Sequence, residues 1–170
     1  LLRDDFGFNN AQIKTFCVNA PFKAGPTKVE DFLQWLTDPN GRDFTLGDAA
    51  RMRYWCTKWT IEEVEVKAAI RGMMGLFEHK LAMSFLCNST YVAHYTQLQP
   101  ILKKMVPLFE THGVAPELLR KIFKTAPDMK RASTIYDTLT NLENSTDFEE
   151  MVKSMIPRNT RKRKRRQQGD

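Results

Sequence analysis

Apolar residues recur along this chain at intervals of three and four, the spacing of side chains that share one face of a helix. Val29, Phe32, Leu33 and Leu36 form one such face, which the turn-forming DPNG at Asp38 to Gly41 should end. A second helix is predicted after Thr45, carrying AARMRYWCTKW. A third is predicted from Ile61 toward Cys87, and from Val66 onward its apolar residues, Ile70, Met73, Phe77, Leu81 and Phe85 among them, occupy nearly the whole circumference. A helix apolar all round is a buried one, so this segment is assigned to the centre of the fold, with Gly72 and Gly75 admitting a close neighbour.

Beyond it, Asn88 or Ser89 can cap a helix through Tyr91, Tyr95 and Leu98, which Pro100 should break or kink ahead of Pro107. His112 and Gly113 read as a helix exit, and Pro116 suits a first helical position before Leu118, Leu119, Ile122 and Phe123. Pro127 opens another helix, and the last uses Phe148, Met151, Val152 and Met155 before Pro157. TKVE, TIEE and TDFE, starting at Thr27, Thr60 and Thr146, each place Thr three residues before Glu, the arrangement of a capping box.

No period-2 strand and no internal repeat is present. The fold class is therefore all-α: a compact bundle of about seven or eight helices around a long buried central one, with a disordered basic C-terminal tail. Residues 1–26 are an N-terminal arm with a short helix near Ala11 to Cys17, residues 27–157 the helical core domain, and residues 158–170 the tail.

Charge changes this picture more than composition does. The net charge is +6, from 26 Lys and Arg against 20 Asp and Glu. Seven of those cations, Arg158, Arg161, Lys162, Arg163, Lys164, Arg165 and Arg166, follow Pro157, as does one acid, Asp170, so residues 1 to 156 hold 19 of each sign. The body is formally neutral and the whole excess sits in the last fourteen residues. No apolar residue follows Pro157, so nothing there can anchor to a core.

At 170 residues and 42% hydrophobic content the chain can bury a sizeable core without disulfide or metal. No apolar run approaches the roughly 20 residues that cross a bilayer, so no membrane partner is expected. The first residues lack the apolar stretch of a secretory signal, and Leu1 in place of Met reads as a fragment or a processed product. Cys17, Cys56 and Cys87 are odd in number and widely spaced, which favours a reducing, intracellular setting. The NST triplets at Asn88 and Asn144 read as helix starts rather than glycosylation acceptors.

Catalytic patterns are missing from the sequence. There is no HExxH, CxxC, GxGxxG or Walker loop, and His79, His94 and His112 never lie at metal-ligand spacing from a Cys. The pairs Glu62/Glu63 and Glu149/Glu150 are assigned to first helical turns, where the helix dipole favours negative charge. No catalysis, cofactor or metal is expected.

Two stretches suggest contact with nucleic acid. In RMRYWCTKW, helical spacing places Arg51, Trp55 and Trp59 in one row and Tyr54 and Lys58 in the next, with Arg53 nearby, an arrangement that could grip a single strand between cations and stacked rings. The competing reading makes the tryptophans core anchors with cations over their rings. Arg120, Lys121, Lys124, Lys130 and Arg131 could continue a phosphate track or simply be a solvated face. In the tail, seven cations can neutralise up to about seven phosphates without reading sequence, and KRKRR is equally the composition of a nuclear import signal.

Two functions are consistent with these features. One is a non-enzymatic, nucleic-acid-associated assembly protein, capsid-like or nucleoprotein-like in general design, whose body self-associates while its tail holds RNA or DNA. The other is a nuclear helical module that binds a peptide partner and carries an import-receptor signal. The expected location is intracellular, nuclear or virion-associated.

Overall fold

Helices begin where a side chain or a proline deals with the free N–H groups of the first turn. In the computed structural model, which describes residues 1–17, 25–39 and 44–158, the choice falls differently from the Thr-x-x-Glu reading. Ten helices are present among the described residues, all-α with no strand: α1 Asn10–Cys17, α2 Pro26–Thr37, α3 Leu46–Arg51, α4 Arg53–Leu76, α5 His79–Leu86, α6 Ser89–Thr111, α7 Glu117–Ile122, α8 Ala126–Lys130, α9 Ala132–Thr140 and α10 Ser145–Met155.

None of the three threonines chosen from the sequence is a cap. Pro26 already opens α2 ahead of Thr27, Thr60 lies inside α4, and Asn144 caps α10 by accepting from the N–H groups of Thr146 (2.8 Å) and Asp147 (3.2 Å). Asn88 does the same for α6 with Thr90 (2.9 Å) and Tyr91 (3.1 Å), so both NST triplets are helix starts. The capping box that does form at α3 pairs Thr45 with Asp48: the Asp48 N–H donates to Thr45 Oγ1 at 3.1 Å and the Thr45 N–H returns to Asp48 Oδ2 at 3.3 Å. At α8, Asp128 likewise accepts from the Thr125 N–H at 3.0 Å.

The predicted helix from Ile61 to Cys87 is two helices. α4 starts earlier, at Arg53, carries a break at Glu62 (φ −118°, ψ 37°), and ends where Phe77 turns extended (φ −130°, ψ 156°). α5 then folds back so that the Phe77 and Phe85 rings stack, with centroids 5.5 Å apart. The helix after Thr45 is likewise divided at Met52 into α3 and the start of α4. α6, by contrast, runs unbroken through Pro100 and Pro107, both on its exposed side.

One core joins the elements. α4 and α6 pack on each other. α2 and α5 lie against α4, α8 and α9 lie against α6, and α1 lies against α3. Phe8 and Phe16, from the segment read as an N-terminal arm, belong to this core with Trp55, Tyr91, Phe109 and Phe148. At the far end, His112 stacks on Phe148 (4.1 Å between centroids) and its Nδ1 lies 2.9 Å from Ser145 Oγ, tying the exit of α6 to the start of α10.

Candidate nucleic-acid interface

The tail cations Arg161, Lys162, Arg163, Lys164, Arg165 and Arg166 lie outside the described residues. Arg158 is described and exposed, three residues after α10 ends at Met155. Beside this root, Ile156 and Pro157 share a depression of about 500 Å³ with Ser84, Arg120, Lys121 and Lys124. Part of that basic cluster is structural. Arg120 is half-buried and donates to the carbonyls of Ser84 (3.1 Å) and Phe123 (2.9 Å) while lying over the Phe85 ring (5.4 Å), and burial lowers its pKa. Arg131 pairs with Asp128 at 3.3 Å. Lys121, Lys124 and Lys130 are exposed, so the late basic helices present a partial track rather than a continuous one.

The aromatic and basic stretch of residues 51–59 folds inward. Trp55 is 0% exposed and Trp59 2%. The Trp55 indole N–H donates to the Leu86 carbonyl at 2.9 Å, and its ring meets Tyr95 edge-on at 5.0 Å. Trp59 packs on Phe32 (5.2 Å) and Trp35 (5.5 Å), with the Lys67 ammonium 5.1 Å from its ring. A base has no access to either ring, and both tryptophans are core anchors. The cations are engaged with their neighbours: Arg53 lies 4.4 Å over the Tyr54 ring and donates to its hydroxyl at 3.0 Å, and Lys58 pairs with Glu62 at 3.6 Å. Arg51, at the end of α3, is exposed.

The candidate catalytic groups are occupied in the same local way. Glu62 accepts from the Tyr95 hydroxyl at 3.2 Å and Glu63 pairs with Lys67 at 2.7 Å, whose hydrogen bond lowers the Glu63 pKa. Both glutamates lie in the middle of α4 at its break, not in a first turn. Glu149 pairs with Lys153 at 2.8 Å. Burial pushes the Cys56 thiol up to about 12 and the Cys87 thiol up to about 11, which keeps both protonated and poorly nucleophilic at neutral pH. All three cysteines are free. Among the described residues no cluster of His, Cys, Asp or Glu is arranged to hold a metal ion, and no helix is long and apolar enough to cross a membrane.

A feature not drawn from the sequence lies between α4 and α6. Glu65, Ala68 and Gly72 on one side and Tyr95, Gln99 and Lys103 on the other line an open groove of about 680 Å³. At Gly72 the space a side chain would take is filled by the end of the Gln99 side chain, which would have to move to admit a Cβ, whereas Gly75 faces open space. Elsewhere on α4, on either side of the break at Glu62, Ile61 (89% exposed) and Val64 (76%) are the large hydrophobic side chains left exposed among the described residues.

Comparison with protein-family models, with curated proteins and with solved structures finds no match to this chain.

Proposed function

We propose that this is a non-enzymatic assembly protein whose helical body associates with copies of itself while the cationic C-terminal segment binds nucleic acid without reading its sequence. The observation that carries the reading is the division of charge: 19 cations and 19 acids through residue 156, then seven cations against one acid. Neutral subunits can pack side by side with little mutual repulsion, and a dense cationic segment binds phosphates by releasing their counterions. The exposed apolar rim of α4 supports the self-association half of the reading.

The groove between α4 and α6, together with KRKRR, favours a second reading, a nuclear module that holds a partner peptide. Purification separates the two. The assembly reading expects nucleic acid to co-purify and raise the ratio of absorbance at 260 to 280 nm, a high-salt wash to lower it, and sedimentation at moderate salt to show large complexes that nuclease disperses. A nucleic-acid-free protein whose sedimentation ignores salt would overturn it in favour of the second.

A further inference from the structure

We infer that the depression at the root of the C-terminal segment, lined by half-buried Arg120 and exposed Lys121 and Lys124, is a phosphate-binding site that takes one backbone phosphate of the nucleic acid held by that segment. The inference deepens the assembly reading by naming where the bound strand meets the helical body, and rests on that reading for the source of the phosphate.

Arg120 carries the argument. The Ser84 carbonyl accepts from its Nε at 3.1 Å, the Phe123 carbonyl accepts from its Nη1 at 2.9 Å, and the guanidinium lies 5.4 Å over the Phe85 ring. These contacts fix the orientation of the guanidinium, but every partner is formally neutral. Its third nitrogen, Nη2, has no hydrogen-bond partner among the described residues, and no carboxylate among them forms an ion pair with it. Taking a cation out of water without a counter-charge costs stability, and burial accordingly lowers the Arg120 pKa. Other cations of the body meet an acid close by: Arg131 meets Asp128, Lys67 meets Glu63 and Lys153 meets Glu149. A guanidinium held in one orientation and lacking an anion is a preorganised half of a phosphate contact.

The surroundings select the anion. Lys121, Lys124, Ser84, Ile156 and Pro157 complete the depression, so three cations and no acid line a cavity of about 500 Å³. Ile156 and Pro157 are also the last residues ahead of Arg158, the first cation of the C-terminal segment. A strand paired with that segment therefore runs up to the depression, where its phosphate meets the cations and the adjoining sugar meets the apolar side chains of Ile156 and Pro157. A protein carboxylate would also satisfy Arg120, but the seven cations that follow Pro157 in sequence bring a polyanion to this place. One phosphate is too little to hold a strand alone, so the C-terminal segment still supplies nearly all the affinity.

Replacing Arg120 would disturb its ties to the Ser84 and Phe123 carbonyls, so the test uses the exposed lysines. Lys121→Gln with Lys124→Gln in the full chain should leave the thermal midpoint in place and weaken binding of a single-stranded oligonucleotide about tenfold near physiological salt, flattening the log–log salt slope by about 1. The charge-matched pair Lys14→Gln with Lys103→Gln, at exposed lysines that line no part of the depression, should leave the slope unchanged. In NMR spectra of the wild-type chain, the Arg120 Nε–H signal should shift on adding the oligonucleotide, and inorganic phosphate should reproduce that shift only at far higher concentration. Equal losses from the two lysine pairs overturn the inference, because net charge alone then accounts for the effect. So does an Arg120 signal that the oligonucleotide leaves unmoved, or one that answers inorganic phosphate as tightly, which makes the site one for a small anion. A wild-type chain that binds no oligonucleotide overturns the assembly reading itself, whereas one that binds no better than the Lys121 and Lys124 variant overturns the inference alone.

Discussion

The two sides of α4 carry nearly the same residue classes and meet opposite fates. On one side Trp55, Cys56, Trp59, Val66, Ile70 and Met73 are buried against α2, α5 and α6. On the other Ile61 and Val64 are left in water beside Ala68, Gly72 and Gly75. Hydrophobic content around a helix shows that its surface avoids water, but not whether the cover comes from the same chain. The groove between α4 and α6, lined by Glu65 and Lys103 among others, likewise stays open to solvent.

The sharpest way to break this comparison is to truncate one residue on each side. Trp55→Ala removes a buried indole and leaves the Leu86 carbonyl without its donor, so it should cost about 3–5 kcal/mol in urea unfolding. Val64→Ala should change the monomer by less than about 0.5 kcal/mol. Comparable losses at both positions would mean that the exposed side is packed in solution.

The buried side also predicts alkaline sensitivity. In the unfolded chain the Cys56 thiol ionises near 9, whereas in the fold it keeps its proton to about 12. Its contribution is complete below pH 9 and is lost as pH rises toward 12, at up to about 1.4 kcal/mol per pH unit. Burial pushes Tyr95 the same way, up to about 12, helped by the neighbouring Glu62 carboxylate. Unfolding free energy measured at steps through that window should fall steeply, and Cys56→Ala should remove one proton's share of the slope. An unchanged slope would place the thiol in contact with solvent.

The α6 side of the groove depends on a local device. Asn88→Ala removes the acceptor for two N–H groups at the start of α6 and should cost about 1 kcal/mol, as should Asn144→Ala at α10, both read from thermal unfolding. No loss at Asn88 would show that tertiary packing alone sets the start of α6.

What could be read from the sequence follows the range of the interactions involved. Asn88 and Asn144 were legible as helix starts because a cap is formed within three residues. Val29, Phe32, Leu33 and Leu36 were legible as a buried face for the same reason of spacing, and all four are buried. The end of α4 at Phe77 was not legible. Gly75 lies two residues ahead of it but reads equally as a packing glycine, and the turn coincides with the stacking of Phe77 on Phe85, a contact visible only once α5 has folded back. Pro100 and Pro107 suggested an interruption that α6 does not have; both lie on its exposed side.

The candidate site divides in the same manner. A charge run is a property of composition, so the cations after Pro157 stood out at once. Core tryptophans and base-stacking tryptophans share the same helical spacing beside cations, so only burial distinguishes Trp55 and Trp59 as core. The groove opposite them escaped notice because its walls come from residues 65–76 and 95–103, segments that only the α4–α6 contact brings together.

The central claim is that polyanion contact belongs to residues 158–170 and recognition between subunits to the neutral body. The most direct measurement is the salt dependence of nucleic-acid affinity for the full chain and for a chain ending at Pro157. The account predicts a log–log slope of about −6 on duplex DNA, or about −5 on single strands, for the full chain. The shortened chain should lose nearly all binding while its unfolding free energy stays within about 0.5 kcal/mol. Undiminished affinity with the same slope after truncation would contradict the claim and return the phosphate contacts to the helical body.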